Sequence, residues 1–149
     1  MIRKAEPRDL PQLCAMIAGL AAHHGDVSSV TEADLVRDLF GPVPWLHILV
    51  DENSALRGYS ALTQLARLQY GQRGMDLHHL YVCTNQRSAG LGKALLQASV
   101  EFARTAGCNY LTVSALADNA AAQAFYLKQG FSLAPVSGVR FAFDLASKG

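Results

Sequence analysis

The sequence predicts an α/β fold, and three observations predict it. Runs at 45–51, 56–66 and 75–83 carry the apolar patterning and bounding turn residues of strands. A wide apolar helical arc then follows (Leu91, Leu95, Leu96, Val100 and Phe102), and a further strand-like run occupies 110–116. Strand, helix and strand in succession imply a sheet with at least one parallel crossover. Half of the 149 residues are apolar and 17% are charged, against about 25% charged in an ordinary soluble domain. That composition excludes a disordered chain and supplies a large core. One domain over 1–149 is expected from the length.

Each element has a local reason. Residues 2–5 read as a short strand. Asp9 opens a helix, with Pro11 in its first turn and Gln12 completing an Asp-x-x-Gln capping box. Leu10, Leu13, Cys14, Ile17, Leu20 and Ala21 then form one helical face. A second helix runs from near Thr31 to Gly41 and is expected to bury Leu35, Val36, Leu39 and Phe40. The three middle strands are separated by Asp51-Glu52-Asn53 and by 71–74, which carries a glycine at each end. The broad helix from about Gly90 to Ala106 ends at Gly107, and its breadth suits packing on a sheet. A short helix at 119–129 stops at Gly130, and two last strands are expected at 131–134 and 139–145.

Several function classes are excluded at this level. Thirteen Lys and Arg against twelve Asp and Glu leave a net charge of +1, so no electrostatic footprint for nucleic acid or an anionic membrane exists. The longest apolar stretch, 13–22, is ten residues, against about 20 needed to span a bilayer. Glu6 and Asp9 stand where a secretory leader would be basic, so none is expected. Cys14, Cys83 and Cys108 are odd in number and dispersed, which fits free thiols in a reducing cytoplasm rather than a disulfide framework or a zinc site.

The chemistry concentrates in one loop. Val82 to Lys93 reads as a strand running into a two-glycine turn from which a helix opens directly. The first amides of a helix lack intrahelical partners and its dipole favours an anion there. Glycines admit a phosphate close to the backbone, and Arg87 adds a charged fork. A phosphate or pyrophosphate cradle competes at this point with a plain tight turn. Arg87 and Ala94 exclude a Walker loop, and Leu95 stands where the dinucleotide fingerprint requires a small residue.

Arg87-x-x-Gly90-x-Gly92 resembles the Arg/Gln-x-x-Gly-x-Gly/Ala signature of the GCN5-related N-acetyltransferase (GNAT) superfamily. Asn119-x-x-Ala122-x-x-Phe125-Tyr126-x-x-x-Gly130-Phe131 is similar to its second recurrent segment, and Ile2-Arg3-x-Ala5-x-Pro7-x-Asp9 to its opening strand and helix. The three stretches stand in the superfamily's order, so the resemblance spans the chain. It implies a central mixed, twisted sheet of about six to seven strands with helices on both faces. The stretch from Val30 to Gly41, followed by Pro44-Trp45-Leu46-His47, resembles the spermidine/spermine and thialysine branch. That branch carries Glu-Asp where His78-His79 stand here.

The resemblance implies direct attack of a primary amine, from a small molecule, on acetyl-CoA, the cosubstrate. Pyrophosphate would be held around Arg87, Ser88, Ala89, Gly90, Leu91, Gly92 and Lys93, with Asn119 and Phe125 also at the cofactor. The Val82 main chain would pair with the pantetheine arm and the Leu80 amide would polarise the thioester carbonyl. Tyr126 is the position of the general acid that protonates the departing thiolate. On a period-two strand Asp76, His78, Leu80 and Val82 share a face, opposite Leu77, His79 and Tyr81. That alternation sets His78 beside the oxyanion amide, where an imidazole can take the ammonium proton, with Asp76 as the alternative base. His23 and His24 read as helix-terminal cations, and no His pair is expected to bind metal. Trp45, Phe40 and Tyr59 are candidates for lining the acceptor pocket. A homodimer is expected, with 139–145 pairing across the interface. Alternatives left open are a protein N-terminal or lysine acetyltransferase and a non-catalytic acyl-CoA-binding module.

Overall fold

Five strands form one mixed sheet in the computed structural model of the chain, which describes residues 1–86 and 90–146. The first of two units, Met1–Ser114, holds the sheet; the second begins at Ala115. In the first unit the strands β1 (Ile2–Lys4), β2 (His47–Asn53), β3 (Ala55–Arg67), β4 (Gln72–Val82) and β5 (Tyr110–Val113) lie side by side in chain order. The first four are antiparallel, and β5 joins β4 in parallel through the helix α3 (Leu91–Thr105).

Helices cover both faces, as expected. The helices α1 (Leu10–His23) and α2 (Glu32–Phe40) bury Leu10, Leu13, Met16 and Leu35 against Ile48, Val50, Tyr59 and Ala61. On the other face α3 buries Leu91, Leu95, Leu96, Ser99 and Ala103. Ser99 Oγ lies 2.7 Å from both the Leu95 carbonyl oxygen and the Ser60 hydroxyl, fixing α3 over β3. Successive strand residues face opposite ways, so Ser60 looks toward α3 while Tyr59 and Ala61 look toward α1.

Some local expectations change. The capping box at the chain's start pairs Glu6 with Asp9, not Asp9 with Gln12. Asp9 is claimed by Arg3, whose guanidinium holds it bidentately at 2.7 and 2.9 Å, and Gln12 accepts a hydrogen bond from the Leu56 amide instead. The second helix is capped where predicted, by Thr31 with a box to Asp34. It buries Leu35 while leaving Val36 and Phe40 exposed, because only one stripe of so short a helix reaches the sheet.

Two glycines are required by close approach. Gly74 leaves room for the Tyr110 ring, which also carries the Arg67 guanidinium 3.8 Å from its centroid. At Gly58 an added Cβ would stand 2.5 Å from the Tyr81 carbonyl oxygen, a backbone atom that cannot move alone. Gly58→Ala is therefore expected to destabilise the protein by about 2–3 kcal/mol. Urea unfolding of the variant would show a midpoint unchanged from wild type if this packing argument were wrong.

The second unit contains the helix α4 (Ala120–Lys128), capped by the Asn119 side chain accepting from the Ala122 amide. The expected strands at 131–134 and 139–145 are not formed, so the sheet has five strands rather than six or seven. The alternation of Val139, Phe141, Phe143 and Leu145 is a real strand pattern. A strand needs a hydrogen-bonded neighbour, however, and the described residues of this unit contain no other strand. Phe141 and Phe143 are consequently left 89% and 86% exposed.

Candidate active site

The site is built where β4 leaves β5. Their parallel pairing runs from Gly74–Tyr110 to Leu77–Val113 and stops there, whereas β4 continues against β3 to Val82. The far half of β4 thus extends past the end of its pairing with β5. Within that half the pairing with β3 steps from Leu62–Leu77 to Ala61–His79, so His78 is an extra residue opposite no partner. This is a β-bulge, a device that redirects a side chain and bends the strand.

The bulge overturns the simple alternation. His78 and His79 do not point to opposite faces: their rings stack at 4.5 Å between centroids and 11° between planes. His79 pairs with Ala61 and Tyr81 with Tyr59, which places both on the α1 side, whereas Leu80 pairs with Ser60 and Val82 with Gly58, on the α3 side. His78 therefore lies alongside His79 rather than on the Leu80 face. His79 faces the α1 side, with its Nδ1 3.0 Å from the Tyr59 hydroxyl. Asp76, the alternative base, accepts a 2.7 Å hydrogen bond from the Thr112 hydroxyl across the β4–β5 pair.

Burial, reinforced by the charges of His78 and His24, pushes His79 down to about 4 from an ordinary 6.5. His47 is lowered too, by burial and then by Lys4. A histidine that resists protonation only when folded adds stability that is complete above about 6.5 and is lost as the pH falls toward about 4. Thermal unfolding should thus shift downward across that interval, and His79→Phe should flatten the dependence. An unchanged slope in that variant would remove His79 from the explanation.

Cofactor-binding expectations divide three ways. Arg87, Ser88 and Ala89 lie outside the described residues. Gly90 caps α3 at φ +76, without a side-chain cap, and the amides of Leu91, Gly92 and Lys93 open the helix. Among the described residues, a Cβ at Gly92 would meet only Val82 Cγ2, at 4.0 Å. A glycine in a helical first turn lets a ligand approach the backbone closely. Asn119, Phe125 and Tyr126 belong to the second unit, where Tyr126 packs against Phe125 and Phe131 at 5.3 and 5.8 Å between ring centroids. Burial raises the Tyr126 phenol above its ordinary value, so it stays protonated.

Of the acceptor-pocket candidates, Tyr59 is a fully buried core residue. Trp45 is 74% exposed and borders a cavity of about 890 Å³ with Arg37, Asp38, Pro44 and Thr63. Thr63 pairs with Asp76, so this cavity opens on the same face as His79 and close to the bulge. Among the described residues no group of three His, Cys, Asp or Glu could hold a metal ion, the three cysteines are free, and no helix is long and apolar enough to cross a membrane.

Sequence reading missed the Tyr59–His79 contact and the Asp76–Thr112 bond. Both join residues that meet only through strand register, and no local pattern announces either.

Comparison with known proteins bears on the family and the fold. The model of the acetyltransferase (GNAT) family matches residues 16–131. The spermidine/spermine N(1)-acetyltransferase-like protein 1 of Homo sapiens is 29% identical over 87% of this chain, which spans only 20% of that protein's length. Thialysine N-epsilon-acetyltransferase of Bos taurus is 28% identical over 87% of this chain and 82% of its own. An L-methionine sulfoximine/L-methionine sulfone acetyltransferase of Pseudomonas aeruginosa is 29% identical, with 94% and 86% covered. A solved probable acetyltransferase superposes with a TM-score of 0.83 at 22% identity, covering 97% of this chain and 98% of that one.

Proposed function

Because the chain belongs to the acetyltransferase (GNAT) family, we propose that it transfers the acetyl group of acetyl-CoA to the primary amine of a small molecule, by direct attack in a ternary complex. The observation that carries this reading is the parting of β4 from β5 after Leu77, with a histidine at the bulge directly after that point and a glycine-opened helix beyond it. The curated relatives add the substrate class: one is named for polyamines, the others for thialysine and for methionine derivatives.

The amides from Gly90 to Lys93 bind the pyrophosphate, with Arg87, Ser88 and Ala89 completing the cradle. The Val82 main chain aligns the pantetheine arm, and the Leu80 amide donates to the thioester oxygen as charge develops there. Asn119 and Phe125 border the cofactor. The amine enters from the Trp45 cavity, whose aromatic face suits a cation. His78 takes the ammonium proton, and the freed nitrogen lone pair forms the bond to the acetyl carbon. The carbon–sulfur bond then breaks as the carbonyl re-forms, and sulfur leaves with the electron pair and is protonated by Tyr126. The excess proton on the new amide nitrogen passes through solvent to restore the Tyr126 phenol. The reaction calls on no metal. A cytoplasmic homodimer that engages neither nucleic acid nor membrane completes the reading.

Tyr126→Phe tests the last step. The expected result is a fall in turnover of about 10²-fold with acetyl-CoA affinity unchanged. Wild-type turnover in that variant would assign the proton to water.

A further inference from the structure

The base at the bulge is held by a second histidine. We infer that His79, anchored through its Nδ1 to the Tyr59 hydroxyl, is a positioning residue that fixes the plane of the His78 imidazole for proton uptake from the amine. This rests on the reading of His78 as the base.

A side chain at a bulge lacks the cross-strand neighbours that restrain residues elsewhere on a sheet. An exposed imidazole there would sample several rotamers, and each misplaced one lowers the fraction of encounters that react. Here the ring has a platform: His79 lies parallel beneath it at 4.5 Å and 11°. The platform is itself immobile. Its Nδ1 is 3.0 Å from the hydroxyl of Tyr59, a residue with no exposed surface, and the Tyr59 ring meets the His79 ring edge-on at 6.0 Å. Tyr81, the register partner of Tyr59 on β4, supports it at 5.9 Å between ring centroids. The line of contact runs unbroken from the core to the exposed His78.

Hydrogen accounting agrees with this division of labour. Burial holds the Tyr59 phenol protonated, and it shares one hydrogen bond with Nδ1 whose direction is set by the His79 tautomer. Stacking engages the ring face of His78, while its nitrogen lone pair and N–H lie in the ring plane, available to the amine. Stacked rings offer no N–H···N line, so His79 cannot relay the proton. Its contribution is orientation.

The test compares His79→Ala, Tyr59→Phe and the double variant Tyr59→Phe/His79→Phe in steady-state kinetics, beside His78→Ala. The double variant keeps two packed rings and leaves no buried hydroxyl unpaired. His79→Ala should lower kcat by about 10- to 100-fold with KM for acetyl-CoA unchanged. Tyr59→Phe should lower it less, in the same direction, and the double variant should recover most of the rate lost in His79→Ala. Wild-type kcat in His79→Ala beside a crippled His78→Ala would overturn the positioning role and leave the base intact. Wild-type kcat in His78→Ala would instead remove the base itself. Should His79→Ala fail to fold, a folded double variant with less than about a hundredth of the wild-type rate overturns the inference, and one with near wild-type rate supports it.

Discussion

Gly92→Asp should raise the stability of the free protein while reducing its affinity for acetyl-CoA by at least about 100-fold. The two effects have opposite signs because they have different causes. Glycine in a helix costs roughly 1 kcal/mol against alanine and a few tenths against aspartate, and a carboxylate in the first turn adds a favourable interaction with the helix dipole. Among the described residues there is space for the substitution, since the nearest atom to a Cβ at Gly92 is Val82 Cγ2 at 4.0 Å. A pyrophosphate approaching the same amides meets both the lost room and a like charge. Calorimetric titration with acetyl-CoA and a thermal melt check the two halves separately. A plain strand-to-helix turn would give the gain in stability with no loss of affinity.

The second large effect is expected at His78. His78→Ala should lower kcat by about 10²-fold or more with acetyl-CoA binding unaltered, because an amine that arrives protonated cannot attack until its proton is removed. Asp76→Asn should cost much less, since the Asp76 carboxylate is already engaged by the Thr112 hydroxyl at 2.7 Å. The opposite ranking, measured under saturating acetyl-CoA, would transfer the base to Asp76.

These residues also mark where sequence reading succeeds. The glycines of the loop, the Thr31 cap and the apolar arc of α3 depend on local spacing, and each appears in the structure where its pattern placed it. The mixed sheet with one parallel crossover follows from element order alone. The bulge was not legible, because it is a mismatch of one residue between β3 and β4, and neither strand carries the mismatch by itself. That single slip carries His78 off the Leu80 face and next to His79. The Asp9–Gln12 box failed for a related reason: Arg3 is far closer in space to Asp9 than the helical pattern suggests, and a bidentate guanidinium outcompetes a local cap. At 139–145 the apolar alternation is sound but a strand also requires a partner, which a run of residues cannot specify.

The most direct test of acetyl transfer is a CoA-release assay with acetyl-CoA and a panel of spermidine, thialysine, methionine sulfoximine, lysine, an aminoglycoside and N-terminal peptides. Turnover of a small primary amine, with the N-acetylated product identified by mass spectrometry, is the predicted result. Release of CoA with a peptide alone would make the protein a protein acetyltransferase. Tight binding of acetyl-CoA without turnover of any amine would contradict the account and leave a binding module.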